Sequence, residues 1–196
     1  MFAGEEFVTL ISAFVLLGVS SIKYARTREI SYLMFIISSI SFLIIAAALA
    51  FLKLEALSLP ITPYVGALYP AFMAAGVLGK HYWRNYVIFT VLMLILMLIG
   101  SLYKPLFTVS EVILHSISGI IVIFLPLVMV IQRKAPAAES LIGLGGLLIS
   151  IGGLALATLI IQKPLLPLKT VLLLLHPLLF LSAFLMSAGI YVHKGS

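Results

Sequence analysis

Seven apolar runs of spanning length, separated by short polar breaks, leave this chain few ways to fold. A helix needs roughly 20 apolar residues to cross a bilayer, and lipid tolerates unpaired backbone almost nowhere outside helices and closed barrels. The runs cover about Phe7 to Tyr24, Ile30 to Leu52, Ile61 to Gly79, Asn85 to Tyr103, Glu111 to Gln132, Ser140 to Ile161 and Thr170 to Val192. They predict an all-α, polytopic helical membrane protein with seven transmembrane helices in a single integral membrane domain. Its first helix is followed by three hairpins over about residues 30–79, 85–132 and 140–192. With 63% of 196 residues hydrophobic and 9% charged, no stretch remains for a soluble catalytic domain.

The formal charge of +6 does not point to nucleic acid, because the bases sit in the breaks between apolar runs. There they act as topology determinants against anionic headgroups. Alternate breaks place Lys23, Arg26, Arg28, Lys80, Arg84, Arg133, Lys134 and Lys194 on one side, and Lys53, Lys104, Lys163 and Lys169 on the other. The richer side is expected to be cytoplasmic, which puts the amino terminus outside and the carboxyl terminus in the cytoplasm of a multi-pass cell-membrane protein. Met1 to Phe7 carries Glu5 and Glu6 and no base, the opposite of a cleavable signal, so the first run is expected to be retained. The absence of cysteine removes disulfides, thiolate metal sites and cysteine nucleophiles.

Each external turn contains Lys and Pro: Lys53 with Pro60 and Pro63, Lys104-Pro105, and Lys163-Pro164 with Pro167. Each returning helix then presents a ring, at Tyr69-Pro70, His115 and His176-Pro177. Proline at loop ends explains the likeness as readily as internal duplication does. In the sixth run Gly146, Ser150, Gly153 and Ala157 share one face, a small-residue seam that lets helices approach closely.

No run carries Lys, Arg or Asp in its middle, which disfavours a proton pump or ion-coupled transporter, and no lysine in the last run could hold retinal. Histidine remains. His115 follows Glu111 by four residues and precedes Ser118 and Gly119, while His176 shares its face with Phe180, Ala183 and Ser187. Small residues below each imidazole leave a slot, and two imidazoles facing across one are the arrangement for bis-histidine ligation of haem b. His81 and His193 fall at the other boundary, where His, Tyr, Trp and Arg belong in an interfacial belt.

The strings Leu114-His115-Ser116-Ile117-Ser118-Gly119 and Leu175-His176-Pro177-Leu178-Leu179, with Ala188-Gly189-Ile190-Tyr191 closing the latter helix, resemble ligand helices of the ascorbate-dependent two-haem transmembrane cytochromes b. The resemblance covers two of the seven runs. It implies a helical bundle that moves electrons across a membrane, with His115 and His176 as axial ligands. The residues themselves suggest that Gly119 and Ala183 would border a macrocycle near the outer face and Ser118 would orient a ligand or propionate, in a free electron carrier between quinol and an external redox protein or in a respiratory-complex subunit.

Two other readings compete. A small transporter or channel for a neutral or hydrophobic substrate would use Tyr64, Tyr69, Ser118 and the kinked helices as its path. A metal-dependent membrane enzyme would use Glu111, His115 and His176 as ligands, but no general base stands beside them. An accessory scaffold, as a homo-oligomer or as part of a larger membrane complex, fits the composition equally.

Overall fold

The computed structural model describes residues 5–160 and 166–193. Among them are α1 (Glu5–Thr27), α2 (Ile30–Leu52), α3 (Thr62–Gly100), α4 (Lys104–Ile131), α5 (Ser140–Ile160) and α6 (Leu168–Val192). Short 3₁₀ turns at Lys53–Ser58 and Ala137–Glu139 join α2 to α3 and α4 to α5. The Lys163-Pro164 turn and Lys194 lie outside the described residues. Among the described residues six helices are long and apolar enough to cross a membrane.

The third and fourth runs are joined in α3, a helix of 39 residues broken only at Gly79, whose φ is 67° and ψ −169°. An L side chain rarely adopts such a φ, so glycine is what makes the turn. Straight, α3 would be about 58 Å long at 1.5 Å per residue. Instead the Tyr64 hydroxyl donates to the Met97 carbonyl at 3.4 Å, which requires residues 62–78 and 80–100 to run side by side in opposite directions. A second relationship agrees. Thr9 meets His176 and Lys23 meets Tyr191, so α6 runs parallel to α1, as an even number of reversals between them demands.

Two sequence boundaries moved for local reasons. Residues 80–84, read as a loop, continue the helix because none is Gly or Pro. Helix α4 starts at Lys104 and not near Glu111, with Pro105 in its first turn, where proline's missing N–H costs nothing.

The helices close into a ring in which each packs on its chain neighbours and α6 returns to α1. Leu16, Phe35, Phe42, Met73, Leu114, Ile142, Met186 and Ile190 fill it. Serine and threonine are buried with them, including Ser12, Ser20, Ser38, Ser39, Thr90, Ser118 and Ser182, whereas Ile, Leu, Val and Phe crowd the exposed set. A water-soluble protein shows the reverse. In lipid the apolar surface costs nothing, and small hydroxyl residues go inside, where they hydrogen-bond to backbone and let helices approach. Ser38 donates to the Tyr69 carbonyl at 2.7 Å and Ser182 to the Gly145 carbonyl at 2.8 Å, fixing α2 to α3 and α6 to α5.

Charge divides between the two ends. Lys23, Arg26, Arg28, Lys80, Arg84, Arg133 and Lys134 lie at the end where α1 and α4 finish, here the carboxyl-terminal end of the bundle. Among the described residues the amino-terminal end holds Lys53, Lys104 and Lys169.

Candidate functional site

The two histidines singled out by sequence do not face each other. His115 is exposed on α4, its Nδ1 3.1 Å from the Glu111 carbonyl of its own helix. It stands about three turns, or about 16 Å, into a helix about 42 Å long, because α4 begins at Lys104. His176 is 1% exposed on α6, and its Nδ1 lies 3.1 Å from Thr9 Oγ1 on α1. Among the described residues α4 and α6 do not pack together.

The other expected macrocycle residues are also dispersed. Ser118 is buried and shares a 2.7 Å hydrogen bond with the Tyr86 hydroxyl while donating to the Leu114 carbonyl. Ala183 is sealed within the core. A haem needs a slot hundreds of Å³ in volume, whereas the cavity beside Tyr69, Gly119 and Ser150 measures ≈ 30 Å³, room for a water molecule or two. The residues as placed do not fit one haem held by His115 and His176. Glu111, His115 and His176 likewise form no three-ligand group, and none exists among the described residues.

What the structure does bring together is one flank of α4 and one face of α5. At their lower contact the helices touch tightly: a Cβ added at Gly143 would sit 2.5 Å from the Ile123 carbonyl oxygen, and one at Gly146 would sit 2.8 Å from Val122 Cγ1. One turn higher, a Cβ at Gly119 would lie 3.8 Å from Ser150 Oγ. At Gly153, one further turn along α5, nothing lies within 4 Å. The two helices therefore diverge into a wedge that widens toward the amino-terminal end.

Helical spacing puts His115 above Gly119 on the same flank, and Glu111 above His115. His115 and Gly153 are both exposed, each about one turn beyond the Gly119–Ser150 approach on its own helix. At the base lies the cavity, lined by Tyr69, Pro70, Gly119, Gly146, Ser150 and Met186 among others. Tyr69 reaches it from α3, its ring stacked on Phe42 at 4.9 Å and its hydroxyl donating to Met186 Sδ at 3.1 Å.

The chamber is thus bordered by the side chains of Tyr69, Ser150 and Met186, and exposed His115 lies one turn from its Gly119 wall along α4. Sequence spacing had already grouped Gly146, Ser150 and Gly153, but as a packing seam. Gly146 does pack closely, together with Gly143, Gly145 and Gly189, whereas Gly153 meets nothing within 4 Å. Tyr64 is not part of the cleft. His81 is exposed just past the Gly79 turn, while His193 is buried.

The chain matches no known family, no curated protein and no solved structure. Its chemistry is therefore read from geometry alone.

Proposed function

We propose that this chain is a cell-membrane protein of seven crossings, amino terminus outside, and that the α4–α5 wedge is a lateral opening through which a neutral, lipid-soluble molecule with a hydrogen-bonding end reaches the interior. The protein acts as a small transporter or carrier for such a molecule. The observation that carries this reading is the wedge itself, with His115 on its bilayer side and the Tyr69–Ser150 chamber at its base.

Three physical points support it. A polar side chain at bilayer depth is costly and is ordinarily retained for a binding or conducting role. Glycines on both walls, Gly119 and Gly153, leave the slot open where any larger side chain would fill it. The chamber offers the Tyr69 and Ser150 hydroxyls, which suit a neutral polar end and would not compensate a full charge. Two antiparallel arms in α3 and a parallel α1–α6 pair support seven crossings, and the excess of bases at the carboxyl-terminal end supports the orientation.

The test uses protein in lipid nanodiscs and a long-chain alcohol carrying a diazirine. Photolabelling is expected to concentrate on residues 115–119 and 149–153, and to fall severalfold in Gly153→Phe. Labelling spread evenly over the exposed face of α1 as well would end the lateral-opening reading.

A further inference from the structure

A second polar cluster lies at the opposite end of the bundle from the wedge. Residues read from sequence as loop and interfacial belt are buried there together. His193 closes α6 and Glu139 ends the connector between α4 and α5, and His193 Nδ1 is 2.9 Å from Glu139 Oε1. Their side chains are 2% and 3% exposed.

The imidazole is held edge-on between Tyr32 and Phe35 of α2, with ring centroids 5.9 Å and 5.6 Å away. The Tyr32 hydroxyl donates to the His193 carbonyl. His193 Nε2 is buried without a hydrogen-bond partner among the described residues. From α1, Lys23 Nζ lies 5.2 Å over the Tyr32 ring and donates to the Tyr191 carbonyl at 3.0 Å. Glu29, just before α2, is the remaining acid on this side, and it is exposed. The cluster ties the connector to α6, α2 and, through Lys23, to α1.

We propose that Glu139 and His193 form a proton-binding site that latches the connector over this end of the bundle, closed while the pair holds one proton and released when it gains or loses one. The argument is charge balance in a buried place. With one ionisable proton the pair is neutral overall, either as carboxylate with imidazolium or as carboxylic acid with imidazole. A second proton leaves acid beside imidazolium, a net +1. Loss of the only proton leaves carboxylate beside imidazole, a net −1.

Either unbalanced state buries a charge among Tyr32 and Phe35, and such a charge favours exposure to water. Lys23 is engaged with the Tyr191 carbonyl and the Tyr32 ring and stays at the cluster's edge. Closure therefore passes through a maximum with pH. This site is separate from the wedge and stands whatever the wedge admits.

The single substitutions separate the two limbs. Glu139→Gln leaves only the imidazole to ionise, which is charged at low pH, so this variant is expected to release only on acidification. His193→Gln leaves only the carboxyl group, charged at high pH, so it is expected to release only on alkalinisation. Glu139→Gln combined with His193→Gln carries no ionising group and is expected to show no pH response.

The readout is the spin-label distance between Arg26→Cys and Ala138→Cys, both exposed at this end in a chain with no native cysteine, measured in nanodiscs from about pH 4 to about pH 10. Without the test substitutions, the labelled chain is expected to give a narrow distribution at intermediate pH that broadens at both extremes. A distribution that stays fixed across this range, or two limbs that survive either single substitution, would overturn the proposal. The first of these outcomes needs no Glu139 or His193 variant to fold.

Discussion

Tyr64 and Met97 are 33 residues apart in one helix, yet the hydroxyl of the first donates to the carbonyl of the second at 3.4 Å. The contact exists because Gly79 turns the helix back on itself. It decides whether Lys80 and Ser101 emerge at the same end of the bundle or at opposite ends. Single cysteines at Lys80 and Ser101 are expected to react with a membrane-impermeant maleimide from opposite sides of oriented vesicles. Lys80→Cys should share its side with Arg28→Cys. Reaction of Lys80→Cys and Ser101→Cys from one side would refute seven crossings.

The same turn predicts a stability cost. Gly79 has φ 67°, where a β-carbon crowds the backbone, and strain of about 1–2 kcal/mol is expected for Gly79→Ala. Trp83 is the single tryptophan and lies one turn past the break, so its fluorescence reports on this region. Thermal unfolding followed at Trp83 is expected to shift down by several degrees. An unchanged transition would mean that the turn relaxes at no cost.

Glycines in α5 should divide by what faces them. A Cβ at Gly145 would sit 2.7 Å from the Ser182 carbonyl oxygen, and that backbone has no room to retreat without parting α5 from α6. Gly145→Ala is therefore expected to cost roughly 1–3 kcal/mol through overpacking. Gly153 meets nothing within 4 Å, so Gly153→Ala is expected to be neutral or to gain up to about 1 kcal/mol in helix propensity. Detergent-resistance midpoints of the two variants give the comparison. Equal effects would argue against the wedge.

Much of this arrangement was legible in the sequence, but its rotation was not. Run lengths and breaks located the helices, and the third run was already bounded at Gly79, the residue that makes the turn. The inward faces were hidden because α4 is apolar nearly all round: Ile113, Ile117, Ile120 and Phe124 are exposed while Leu114, Val122 and Pro126 are buried. Hydrophobic periodicity loses its meaning when the solvent is itself hydrocarbon. His115 therefore could not be assigned to the interior or the lipid side. Glu139 and His193 were hidden differently. Glu139 lies three residues after Pro136 and His193 just before Lys194, both in apparent loops, and nothing local reveals that distant segments bury both.

The position of His115 separates stability from function. Its ring is exposed on α4, and its Nδ1 lies against the Glu111 carbonyl of the same helix. His115→Leu is expected to leave the unfolding midpoint unchanged or slightly raised, since leucine is better solvated by lipid. Photolabelling of residues 149–153 by the diazirine alcohol should nevertheless fall severalfold, because the polar group at the mouth of the wedge is gone. A loss of stability matching the loss of labelling would make His115 a structural residue.

The haem expectation has its own measurement. Bis-histidine ligation needs both imidazoles to address one iron, yet His115 opens to the bilayer while His176 is held against Thr9. Tyr69, Leu114 and Met186 are buried in the core, and the cavity beside Tyr69 measures ≈ 30 Å³. Protein purified from haem-replete cells is expected to show no Soret band and no sharpening of an alpha band on dithionite reduction. If a reduced spectrum of low-spin haem b did appear and vanished in both His115→Ala and His176→Ala, the bundle would have to open widely between α4 and α6. The Tyr69 hydroxyl's contact with Met186 would then be the first to break, so Tyr69→Phe should raise haem occupancy. An invariant, colourless preparation across all three variants leaves the wedge and its chamber as the site to pursue.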